Sequence, residues 1–68
     1  MKKEQIGINA GIIWKTLDGD ITDTEISNVM KKSKLKKEDF YMALGWLARE
    51  NKIRFHTTGN SNCIFLIY

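Results

Sequence analysis

The stretch that most limits what this chain can fold into is residues 35–53, LKKEDFYMALGWLARENKI. At about 100° per residue, Phe40, Ala43, Leu44, Leu47 and Ala48 fall on one side, with Asn51 continuing the line, so the segment reads as a helix with one buried stripe. The opposite side carries Glu38, Met42, Gly45 and Arg49, flanked by Asp39 and Trp46 on one edge and by Tyr41 on the other. A glycine in mid-helix costs about 1 kcal/mol relative to alanine, so Gly45 marks either a close approach to the backbone or a tolerated weak point. Asn51 accepts left-handed backbone and is expected to end the helix, after which Ile53 and Phe55 alternate with polar residues.

A one-sided helix needs other elements to cover its stripe. Residues 4–17 supply the first, with Ile6, Ala10, Ile13, Trp14 and Leu17 at helical spacing. Ile8 and Ile12 fall off that stripe, one turn apart beside Lys15, which makes them candidates for a contact outside the core. Gly19 then breaks the helix, and Ile21 is expected in a short extended segment. Thr22 followed by Glu25 matches a capping box, so a second helix is expected from Thr22 to about Lys32, with Ile26, Val29 and Met30 inward. Ser27 offers a small side chain for a close helix crossing. Ser33, Lys34 and Leu35 form the connection to the third helix, with Leu35 as an apolar plug, and this is helix-turn-helix spacing.

Beyond Asn51 the pattern changes period. In KIRFHT, Ile53 and Phe55 are expected inward and Lys52, Arg54 and His56 outward, as in a half-buried strand. TTGNSN is a polar turn, and CIFLIY is a nearly all-apolar second strand, so the chain ends in a hairpin. Cys63 is expected to pack within that strand. His56 has no paired Ser, Cys or carboxylate motif around it in the sequence and reads as an outward strand residue, so no enzyme is expected.

Charge is concentrated in one place. Residues 31–37, KKSKLKK, hold five lysines and no acid, whereas the remainder of the chain carries six basic and eight acidic side chains. The net charge of +3 therefore comes from this one segment. Lys31 and Lys32 suit the negative end of the second helix dipole, but Lys36 and Lys37 lie at the positive end of the third, where cations are disfavoured unless an anion binds. A run of lysines is also often a solvated surface, and Glu38 and Asp39 partly offset the penalty without a ligand. One cysteine excludes an internal disulfide, and one Cys with one His excludes a structural zinc site. No membrane span, secretion signal, cofactor motif or small-molecule site is evident, so a cytoplasmic, cofactor-free protein is expected. With 68 residues the chain forms one domain, residues 1–68, which buries only about 60% of its unfolded surface and gains from a second subunit.

The order helix, short strand, helix, tight turn, helix, hairpin is α+β and resembles the winged helix-turn-helix fold over essentially the whole chain. NAGIIW at residues 9–14 and ALGWLARENKI at 43–53 look like a family of very small bacterial winged helix-turn-helix proteins of unknown function. The resemblance implies that fold and, by analogy with the wider winged-helix group, binding to double-stranded DNA.

The expected DNA contacts are Lys34, Lys36 and Lys37 to phosphates, Tyr41 and Arg49 along the exposed face of the third helix, and Arg54 with Asn60 from the wing. Glu38, Asp39 and Met42 on the same helix are poor groups for reading bases, which argues against a sequence-specific monomer. A dimeric transcription regulator or accessory factor is the expectation. The alternative is a protein-interaction module of the same fold that does not bind DNA, with Ile8, Ile12, Met42 and Trp46 as its contact residues for self-association or partner binding. For Trp46 the first reading is that it rolls down over the core edge onto the first helix or the sheet, because a small domain needs its large aromatics.

Overall fold

The computed structural model describes residues 2–19 and 23–67. The elements run α1 (Lys3–Leu17), β1 (Thr24–Glu25), α2 (Ile26–Ser33), α3 (Lys37–Arg49), β2 (Ile53–Thr58) and β3 (Ser61–Leu66). The strands form one antiparallel sheet in the order β1-β3-β2, and the register pairs Thr24 with Ile64 and Ile53 with Leu66. Three helices on a small antiparallel sheet whose hairpin follows the third helix make the expected winged helix-turn-helix.

The core is the meeting point of the stripes read from the sequence. Ala10, Ile13 and Leu17 of α1, Val29 of α2, and Phe40, Ala43, Leu44 and Leu47 of α3 are buried against Ile53, Ile64 and Leu66 of the hairpin. Each large side chain so buried contributes about 1.5–3 kcal/mol, and α1 packing on α3 supplies most of the helical layer. Ile26, Met30 and Leu35 close the edges as half-buried residues, Leu35 acting as the plug between α2 and α3. Asn9 is buried within this apolar setting, and its Oδ1 accepts a 3.1 Å hydrogen bond from Gln5 Nε2 one turn earlier.

Helix ends follow backbone chemistry. α3 closes with Asn51 at φ 57°, Asn51 N–H donating to Ala48 O and Lys52 N–H donating to Leu47 O, which is a Schellman arrangement. Asn51 itself is exposed and leaves the buried line that Leu47 belongs to. The hairpin turns through Gly59 and Asn60, with φ 61° at Gly59 and negative φ at Asn60, the pattern of a II′ turn.

Several expectations are corrected. α2 begins at Ile26, because Thr24 and Glu25 are extended and pair with β3; Glu25 sits at the N-cap position and makes no side-chain cap there. Ile21 and Thr22 lie outside the described residues. Ser27 is exposed and supports no close helix crossing. Phe55 alternates correctly but is 53% exposed, since every β2 residue after Ile53 is exposed on this edge strand. At Gly45 a Cβ would meet nothing within 4 Å, so among the described residues no group of this chain approaches the backbone there.

Candidate nucleic-acid interface

The lysine-rich turn is built by local geometry. Three residues, Lys34, Leu35 and Lys36, separate α2 from α3. Lys34 takes φ 60° and ψ 21°, a left-handed backbone that reverses the chain in one residue. Beneath it the buried Ser33 donates from Oγ to Met30 O at 2.7 Å and accepts from Leu35 N–H at 3.3 Å. This serine, read from the sequence only as part of the connection, therefore ties the turn to the end of α2 and sets where the lysines point from. Lys31, Lys32, Lys34, Lys36 and Lys37 are all exposed.

Lys36 is the N-cap residue of α3, and no side chain caps that end. The first backbone N–H groups of α3 thus point out of a helix start flanked by Lys36 and Lys37, a setting that favours an anion. Glu38 and Asp39 occupy the same first turn and reduce the local positive field. Farther along, Tyr41, Met42, Gly45 and Arg49 form the exposed face. The Tyr41 ring meets Phe40 edge-on at 5.3 Å, which orients it while leaving it 47% exposed.

The sheet brings in a second surface. A cleft of about 310 Å³ is lined by Tyr41 of α3, by Glu25, Ile26 and Ser27 where β1 passes into α2, and by Asn60, Ser61 and Asn62 at the wing tip. Two of the expected contact residues, Tyr41 and Asn60, therefore share a site although they are far apart in sequence. The tip is held by hydrogen bonds from Ser61 Oγ to Glu25 Oε1 at 3.3 Å and from Thr57 Oγ1 to Asn62 Oδ1 at 3.4 Å. Glu25, which the sequence presents as a capping residue, stands in this cleft as an acid.

Other expected residues lie apart from that cleft. Arg49 is exposed in the last turn of α3, and Arg54 is exposed near the base of the hairpin opposite Phe65. Arg54 shares the outer sheet face with His56 and Cys63 by strand alternation. His56 is exposed on the strand as expected, but the fold brings an acid and a thiol beside it: Asp23 Oδ2 lies 3.5 Å from His56 Nε2, and Cys63 is its direct cross-strand partner. Burial pushes the Cys63 thiol above its ordinary pKa of 9.0, and the Asp23 and Glu25 carboxylates push it the same way, so this arrangement disfavours a thiolate. Among the described residues no group of three or more His, Cys, Asp or Glu side chains could hold a metal ion.

The four expected protein-contact residues divide. Ile8, Ile12 and Met42 are exposed at 58%, 37% and 48%. Trp46 is half-buried and packs on the core edge, where it lines a groove with Gly7, Gly11 and Trp14. Lys52 Nζ lies 5.4 Å from the centre of the Trp14 ring, a cation–π contact that secures the end of the α3 cap to α1. No described helix is long and apolar enough to cross a membrane.

The family model of a winged helix-turn-helix domain (DUF2582) matches residues 1–66. The chain is also similar to the solution NMR structure of protein BT2368 from Bacteroides thetaiotaomicron, with 33% identity and a TM-score of 0.81 over 97% of this chain and 79% of that one. No curated protein matches it.

Proposed function

Starting from the fact that the chain belongs to this winged helix-turn-helix family, we propose that it is a double-stranded-DNA-binding protein, a small cytoplasmic transcription regulator or accessory factor without catalytic activity. It acts as one domain over residues 1–68 and works as a homodimer. The observation that carries this reading is the turn from α2 to α3, where the exposed Lys34, Lys36 and Lys37 adjoin a helix start that has no side-chain cap among the described residues. Phosphate oxygens satisfy both the cations and the outward N–H groups.

Lengths support the same docking. From Lys37 to Arg49 the helix rises roughly 18 Å, more than the major-groove width of about 12 Å, so cations at its two ends can address phosphates on both walls. Tyr41 then lies between them on the exposed face, while Asn60 extends the surface from the wing and Arg54 adds a cation at the hairpin base. Tyr41, Met42 and Gly45 supply little base-edge hydrogen bonding, so binding is governed by the backbone and is steeply salt dependent. The test is titration of random-sequence duplex at two salt concentrations, for the wild type and for Lys34, Lys36 and Lys37 neutralised together. The logarithmic salt slope should become shallower by about 0.9 for each phosphate that the variant no longer holds. Equal affinity and slope in the two proteins would reduce the cluster to a solvated surface.

A further inference from the structure

We infer that two copies of this chain pair antiparallel through α1, with the stripe Glu4, Gly7, Ile8, Gly11, Ile12 and Lys15 as the interface. The inference rests on the homodimer part of the reading above and names its surface. On the side of α1 away from the core, two adjacent rows run at i, i+4 spacing: Glu4, Ile8 and Ile12 form a ridge, and Gly7, Gly11 and Lys15 form a trough. Ile8 and Ile12 stand 58% and 37% exposed. A Cβ built on Gly7 or Gly11 would meet nothing within 4 Å, so the trough is open. It widens into a groove of about 280 Å³ whose walls include Trp14 and Trp46.

Ridge and trough match each other when one is reversed. A two-fold axis on this outer side, level with the midpoint between positions 9 and 10, sets Ile8 over Gly11 of the second copy and Ile12 over its Gly7. The same operation sets Glu4 against Lys15 at both ends, so shape and charge select one arrangement together. A parallel pairing would instead bring Glu4 to Glu4 and leave glycine facing glycine. Such self-complementarity is what an isologous interface requires, and rows of i, i+4 residues interdigitating is the commonest way two helices pack. The glycines weaken an isolated α1 relative to alanine, and the close approach of a second helix gives them a use.

The test is sedimentation mass over a concentration series for the wild type, Glu4→Lys, Lys15→Glu and the double swap Glu4→Lys, Lys15→Glu, with thermal melting as a check on folding. The wild type should dimerise, each single swap should weaken the dimer by roughly tenfold because the change occurs at both ends, and the double swap should restore it. A monomeric wild type, a dimer untouched by the single swaps, or a double swap no tighter than the singles would overturn the interface. Duplex binding by a monomeric wild type would overturn the dimer and leave DNA binding standing, whereas a charge-dependent dimer that ignores duplex would do the reverse.

Discussion

Replacing Lys34 by glycine should strengthen the fold and weaken DNA binding, two effects of opposite sign at one residue. With φ 60° and ψ 21°, Lys34 occupies left-handed backbone, which costs a residue with a Cβ about 1–2 kcal/mol. Glycine removes that strain but loses about 0.5–1 kcal/mol through its greater freedom in the unfolded chain. The balance favours the variant by about 0.5–1 kcal/mol, equivalent to a rise of roughly 2–8 °C in Tm for a domain of this size. On the binding side, removing one cation from the phosphates makes the logarithmic salt slope shallower by about 0.9. Circular-dichroism melting and fluorescence anisotropy with a labelled random duplex measure the two effects separately. Lys34→Ala is the control, since it removes the charge while keeping the strain and should lose binding without the gain in Tm. A lower Tm for Lys34→Gly would refute the strain argument, and unchanged affinity and slope in both variants would remove Lys34 from the interface.

Other consequences follow from single positions. Gly45→Ala should stabilise the protein by about 1 kcal/mol, a rise of roughly 4–8 °C in Tm, because its Cβ enters open space on an exposed helix face; a fall in Tm would mean the site is crowded. Arg54→Ala should weaken duplex binding and leave melting nearly unchanged, since Arg54 is exposed, whereas a large loss of stability would reveal a structural partner. Cys63 should resist alkylation in the folded protein at neutral pH, as its thiol is buried and held above the ordinary 9.0. A raised folded-state pKa also means the unfolded chain loses its proton first, so the thiol's contribution to stability is intact below 9.0 and declines as pH rises through the folded value. A Cys63→Ala variant should lack that alkaline decline in a pH series of denaturant melts.

What the sequence reveals and what it hides divide by range of interaction. The stripes of α1 and α3, the left-handed Asn51 cap and the Leu35 plug are legible because helical periodicity and cap chemistry act over a few residues. The start of α2 is not: Thr22 and Glu25 have capping-box spacing, but pairing of Thr24 with Ile64 and Glu25 with Cys63 draws this segment into the sheet. That competition is decided by a strand some 40 residues away, and no local pattern records it. Phe55 has the correct alternation, yet burial depends on a covering layer that the edge strand lacks beyond Ile53. The lysine cluster is likewise local and readable. The Ser33 tie beneath it also spans only two or three residues, whereas the cleft that joins Tyr41 to Asn60 depends on how α3 and the wing are docked.

Docking of the α2–α3 turn and the wing on DNA is tested by an NMR titration of the wild-type protein with random-sequence duplex DNA at low salt. The largest amide shifts should fall on residues 34–37, on Tyr41 and on Asn60, and should fade as salt is raised. Perturbations confined to α1 and its Ile8 and Ile12 face, or no perturbation at any duplex concentration, would contradict that docking.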